Sequence, residues 1–221
     1  MATITKVTAA TRSAEIVYPT SDGRPMGETD LHRNIMFECL ETLKLRYAGQ
    51  RVYVSGNILL FYQRGNRRRQ ISPDVLVVKG LAPHDRQNYL LWEEGRPPNV
   101  VIEVTSESTR DEDLYDKFEI YRDQVRVAEY FLFDPRGEYL QPALQGYRLK
   151  AGRYGRIKPV ADRLPSRELG LHLERHERRL KFFDPATGVW VPTLQESREA
   201  ALAEAERLRQ ELETLRRQVG R

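Results

Sequence analysis

The 221-residue chain contains a single cysteine, Cys39. An intramolecular disulfide is therefore excluded, and a cysteine-based zinc site lacks ligands. Cys39 sits in a helical pattern with Ile35, Met36, Leu40 and Leu43 and reads as core filler rather than as a catalytic thiol. Long apolar runs are also missing: VLVV and VVI are far too short to cross a bilayer. The N-terminal stretch MATITKVTAATRSAEIVYP has no apolar segment like the core of an export signal. A cytoplasmic chain with no membrane partner is the expectation. No P-loop, GxSxG, HExxH or dinucleotide-binding glycine pattern occurs, which argues against those reaction classes. A strong charge excess is absent too. The net charge is +4, and from Gln195 onward six Glu balance six Arg, so the excess belongs to the preceding domain. That permits a polyanionic partner without demanding one.

What is present is a globular composition, 40% hydrophobic and 31% charged, in a chain long enough for one domain with an appendage. Residues 1–26 read as an irregular lead-in ending in the turn-rich PTSDGRPMG. A helix is expected from Leu31 to Tyr47, capped by Thr29 or Asp30, with Met36, Leu40, Leu43 and Tyr47 as its apolar stripe. Strand patterns follow in RVYVSG, NILLFYQ and SPDVLVVKG, the last two spaced as a hairpin with the arginine-rich tip RGNRRRQ. The strand VVIEVTS, a helix capped by Ser108 or Thr109 and running to Gln124, and the strand AEYFLFDP give the order of a right-handed βαβ crossover. Strand-like pieces around 146–149, 153–157, 170–174 and 180–183 form a β-rich extension over 136–193. In 194–221, Ala201, Ala205, Leu208, Leu212, Leu215 and Val219 are spaced 4-3-4-3-4, a heptad seam. Either a helix docked on its own domain or a short coiled coil fits that length, and a homodimer is the simplest paired outcome.

Three residues stand out chemically. Glu103 interrupts the apolar strand VVIEVTS. Burying it there is costly unless a cation or donor meets it; an edge strand facing water is the other reading. Asp74 opens SPDVLVV, where turn chemistry alone accounts for a Pro-Asp pair. Strand parity sets Asp74 with Leu76, and Glu103 with Val101 and Thr105, so neighbouring strands would bring the two carboxylates together. Lys117 falls on the apolar stripe of Leu114, Phe118, Tyr121 and Val125 instead of opposite it. An inward lysine on the helix following the Glu103 strand either reaches those carboxylates or pairs with Asp113, four residues earlier. Two carboxylates and a lysine are a kit for phosphodiester hydrolysis. The acids would hold Mg²⁺ or Mn²⁺, the metal would activate water, and the lysine would orient that water and stabilise the transition state.

The combined order of SPDVLVV, PPNVVIEVTSESTRDEDLYDKFEIY and VAEYFLFDP resembles the Uma2 family of putative restriction endonucleases, a branch of the PD-(D/E)XK nuclease superfamily. The resemblance is specific from Gly27 to Pro135 and looser to Pro192. It implies an α/β (α+β) restriction-endonuclease-like domain over 27–193, with a core of 27–135 and a mixed central sheet flanked by helices. A C-terminal amphipathic helix follows. It also implies Asp74 and Glu103 as metal ligands, with the Val104 carbonyl as a further candidate, and Lys117 as the catalytic cation. The parent pattern keeps its lysine two residues after the second acid, where this chain has Thr105; the Uma2 pattern moves it to the following helix, matching Lys117. The superfamily often adds a polar residue from the first core helix, for which Glu28 and His32 are candidates. His32 shares a face with Ile35, Met36 and Cys39 and reads first as a core-edge histidine. Arg64, Arg67, Arg68 and Arg69 could grip DNA phosphates or form a solvated turn. A DNA endonuclease is the leading expectation, with an inactive nuclease-fold module or a scaffold for the C-terminal helix as alternatives.

Overall fold

Val100–Val104 and Glu129–Phe133 are buried at every position, as expected of strands covered on both faces. They lie side by side in parallel at the centre of a six-stranded mixed sheet. The computed structural model describes residues 16–21, 29–107 and 109–219. Glu28, Ser108 and most of the expected lead-in lie outside the described residues. In chain order the elements are α1 (Asp30–Arg46), β1 (Val52–Ser55), β2 (Leu60–Phe61), β3 (Gln70–Ile71), β4 (Val75–Lys79), β5 (Tyr89–Leu90), α2 (Leu91–Glu94) and β6 (Val100–Val104). A helix over 112–125, α3, leads to β7 (Glu129–Phe133). Then come β8 (Leu144–Lys150), β9 (Arg153–Arg156), β10 (Leu164–Ser166), β11 (Leu171–His176), β12 (Arg179–Asp184), β13 (Val189–Trp190) and α4 (Leu194–Val219).

The main sheet runs β1-β4-β6-β7-β8-β9; only β6 and β7 are parallel. Alternation along each strand divides its residues between two cores. Val75 and Val77, Val100 and Ile102, and Phe131 and Phe133 pack with Ile35, Met36, Cys39, Leu40 and Leu43 of α1. Leu76 and Val78, Val101, and Tyr130 and Leu132 face the other way, onto Tyr121 and Val125 of α3. The mixed sheet flanked by helices is thus present. Thr29 caps α1, its side chain accepting from the His32 backbone N–H.

Two local expectations change. A hairpin with an arginine-rich tip forms, but it joins Leu60–Phe61 to Gln70–Ile71. VLVVK pairs instead with β1 and β6, because Pro73 separates it from the hairpin arm and its apolar residues on both faces need the middle of the sheet. The turn into α3 is closed by Ser106, not by Thr109 alone: Ser106 N donates to Thr109 Oγ1 at 3.0 Å, and Thr109 N donates back to Ser106 Oγ at 3.3 Å. This is a reciprocal cap.

Strands beyond Pro135 divide between the main sheet and a second sheet of their own. β8 and β9 extend the main sheet, while Leu164, Leu169, Leu171, Leu173, Leu180 and Phe182 from the four-stranded sheet β10–β13 join the α1 core. Buried Glu129 ties the two parts together: it accepts from Arg148 Nε at 2.7 Å, from the Ser166 hydroxyl and from the Arg167 N–H.

Among the described residues no helix is long and apolar enough to cross a membrane. α4 starts in a capping box in which Glu196 N donates to Thr193 Oγ1 at 3.1 Å and Thr193 N donates to Glu196 Oε2 at 2.8 Å. None of its residues is buried, so the alternative of a helix docked along its own domain is not what the fold adopts.

Candidate active site

The antiparallel register of β4 and β6 pairs Val75 with Ile102 and Leu76 with Val101, which sets Asp74 opposite Glu103. Asp74 N donates to Glu103 Oε2 at 3.4 Å, and Val104 N donates to Asp74 Oδ2 at 2.8 Å. A close approach of chain segments supports this corner: a Cβ on Gly56 would collide with the Asp74 carbonyl oxygen, so only glycine fits at the end of β1.

Glu103 is fully buried. α3 supplies two donors to its carboxylate: Lys117 Nζ donates to Oε2 at 3.0 Å and the Tyr121 hydroxyl donates to Oε1 at 2.6 Å. Lys117 Nζ also lies 2.8 Å from Asp113 Oδ1. Both readings of Lys117 therefore hold at once, since it bridges the strand carboxylate and its own helix's aspartate. On the far side, His32 Nε2 meets Asp74 Oδ2 at 3.0 Å. His32, at the edge of the core, is thus satisfied by Asp74, the first of the two candidate ligands. Reading the sequence offered Asp113 only as a partner for Lys117 and took Tyr121 only as part of the apolar stripe; neither was read as a neighbour of Glu103. Their spacing of four residues on either side of Lys117, on one helix face, was the available signal.

Three carboxylates around one ammonium produce opposed proton affinities. Burial pushes Glu103 up to about 8, against the pull of Lys117, and neighbouring Asp74 and Asp113 add to the rise. Asp113 is raised by burial as well. Burial works against Asp74 too, but its His32 hydrogen bond, the Lys117 charge and the Val104 N–H hold it below its ordinary range. Burial alone would lower Lys117, yet Glu103, Asp113 and Asp74 together hold it well above the usual lysine range. It is a permanent cation.

Among the described residues no three His, Cys, Asp or Glu side chains converge as a ready-made metal cage. A hard divalent ion needs less, because Mg²⁺ keeps several waters and takes one or two carboxylates. Asp74 and Glu103 are such a pair. Thr105 Oγ1, on the same strand face as Glu103, is buried without a hydrogen-bond partner among the described residues, a further oxygen in a donor set that fits such an ion. The cleft lined by Tyr47, Tyr53, Pro83 and Arg86 contains none of these residues. Arg64, Arg67, Arg68 and Arg69 are exposed at the β2–β3 tip.

A crystal structure of a putative nuclease belonging to DUF820 from Anabaena variabilis ATCC 29413 is similar at 14% identity, over 72% of this chain and 87% of that one, with a TM-score of 0.49. No curated protein matches the chain. The sequence pattern of the Uma2 family, described as putative restriction endonuclease, matches residues 14–180. With well over half of its length matched, the chain belongs to the Uma2 family of putative restriction endonucleases.

Proposed function

We propose that the chain is a metal-dependent endonuclease that hydrolyses DNA phosphodiester bonds, with Asp74 and Glu103 holding Mg²⁺ or Mn²⁺ and Lys117 as the catalytic cation. The observation that carries this reading is the 3.0 Å contact of Lys117 Nζ with Glu103 Oε2 beside Asp74: a helix supplies the ammonium that Thr105 cannot. When bound, the ion would supply Lewis acidity, lowering the pKa of a water and neutralising charge on the scissile phosphate. Asp74, kept ionised by His32 and the Val104 N–H, is the standing negative ligand. Glu103, whose ionisation burial makes costly, would release its proton and serve as the second negative ligand when a cation is bound. Lys117, held by Asp113, orients the attacking water and stabilises negative charge on the phosphoryl oxygens. Tyr121 fixes the rotamer of Glu103. The exposed arginines of the β2–β3 tip offer contacts to backbone phosphates, which position a duplex without reading its sequence.

The test is incubation of purified protein with plasmid and with single-stranded DNA, with Mg²⁺, with Mn²⁺ and with chelator, beside Asp74→Ala, Glu103→Ala and Lys117→Ala. Metal-dependent cleavage lost in all three variants is expected. The same ions should stabilise the wild type and not Asp74→Ala against unfolding, by about 2.7 kcal/mol at roughly a hundredfold excess over Kd. Cleavage that ignores chelator or survives all three substitutions rejects the site. An inactive nucleic-acid-binding module is the second reading, favoured by Thr105 at the parent lysine position. DNA binding without cleavage by any form would select it.

A further inference from the structure

α4 is a 26-residue helix with no buried residue, and it carries its largest apolar side chains in the open. Leu208 is 51% exposed, Leu212 49% and Leu215 59%. Apolar residues in a continuous stripe are costly to leave in water, and the domain does not cover them. The capping box at Thr193 and Glu196, with Lys181 Nζ 3.3 Å from Glu196 Oε1, fixes the first turn. The rest of the helix makes no buried contact.

Spacing assigns the heptad. Leu194, Ala201, Leu208 and Leu215 fall at d; Arg198, Ala205, Leu212 and Val219 fall at a. This assignment puts Glu204 and Glu211 at g and Arg209 and Arg216 at e. In a parallel pair, each g residue faces the e residue five positions later on the other helix. Glu204 then meets the partner's Arg209 and Glu211 meets the partner's Arg216, and the two-fold axis repeats both contacts. In an antiparallel pair g faces g and e faces e, which sets glutamate against glutamate and arginine against arginine. The flanking charges thus complement a parallel copy of the same helix and repel an antiparallel one. Within one helix, Glu204 and Glu211 contact only Arg207, at 2.6 and 3.9 Å. All of these side chains are exposed, and such pairs contribute little.

We infer that α4 is a homodimerisation element that joins two copies of this chain in a parallel coiled coil through Ala201, Ala205, Leu208, Leu212, Leu215 and Val219. Arg198 at a and the two alanines make the seam short and the association reversible. The inference is independent of the nuclease reading.

Sedimentation of the full chain from dilute to concentrated solution tests it. The expected mass is that of two chains when concentrated, falling to one on dilution. Leu208→Glu with Leu212→Glu should give one chain at every concentration. Glu204→Arg with Glu211→Arg, and separately Arg209→Glu with Arg216→Glu, should each be single chains; mixing the two variants should restore the doubled mass. In Leu215→Cys, facing d positions should cross-link under mild oxidation, whereas the native Cys39 is buried and should not. Circular dichroism confirms that each variant keeps the wild-type helix and sheet. A single chain at all wild-type concentrations, a dimer that survives Leu208→Glu with Leu212→Glu, or a mixture that stays monomeric overturns the inference. A dimer whose Leu215→Cys form does not cross-link overturns the parallel orientation. Failure of the nuclease reading would appear as absent cleavage with these masses unchanged.

Discussion

Two fully buried carboxylates on adjacent strands, Glu103 in β6 and Asp134 just past β7, respond to burial in opposite ways. Burial would raise Asp134, but four backbone N–H groups, from Arg136, Gly137, Tyr139 and Leu140, converge on it at 2.8 to 3.1 Å and hold it below its ordinary range. Glu103 receives a lysine, a tyrosine and one long backbone contact, and its proton affinity rises. The difference is in who compensates the charge. Fixed backbone dipoles lock Asp134 as a structural anion. Two side-chain donors and one long backbone contact leave Glu103 short of compensation, and a second cation can supply it.

The comparison can be broken most severely at Glu103. Glu103→Gln keeps the shape and removes the charge. Cleavage should fall by roughly a hundredfold or more, while the Tm stays level or rises. A variant that unfolds would place Glu103 among the structural acids. Asp134→Ala should do the reverse: four donors lose their acceptor, at a cost of about 3 kcal/mol in denaturant unfolding, with activity per folded molecule retained. Loss of cleavage in a folded Asp134→Ala would blur the division.

pH sharpens it further. Glu103 rises from its ordinary 4.5 to about 8 in the folded state, so between those values the folded chain keeps a proton that the unfolded chain has released. Its contribution to stability therefore falls as pH climbs through that window. Asp134, being depressed, contributes stability above its ordinary range that is lost as pH falls through its lower folded value. Wild type minus Glu103→Gln should show the first slope. Identical pH profiles for the two proteins would show that Glu103 is not raised. The smallest effect is expected from Tyr121→Phe. It removes one hydrogen bond to Glu103, lowers stability by about 1 kcal/mol and reduces cleavage less than Glu103→Gln does.

Glu103 was visible in the sequence because a charge interrupted an apolar strand. By the same rule Glu129, at the head of EYFLF and also buried, should have been flagged, and it is a structural residue satisfied by Arg148, Ser166 and Arg167. An anomalous burial finds buried charges; it does not sort them. What singles out Glu103 as the candidate is Lys117, whose inward place on a 3.6-residue period could be read directly. The largely apolar five-residue strands, the crossover between them and the tail helix were legible because their patterns are local. The pairing of VLVVK with β1 was not, since register across a sheet is set by residues far apart in the chain. His32 was ambiguous for the same reason: nothing near it in sequence announces Asp74, 42 positions on.

Lys117 stands on α3 while Asp74 and Glu103 stand on the sheet, so the site is complete only while α3 stays seated. Hydrogen-bonding of the wider, i to i+5 kind occupies Glu112–Asp116 and Ile120–Val125 on either side of Lys117. Such winding is rare and is often found at functional positions. If this helix lifts from the sheet, Lys117, Asp113 and Tyr121 leave together and Glu103 is wetted, while the strands stay paired. Heat would then silence the site before it melts the domain, and hydrogen exchange at the amides of α3 would report the opening.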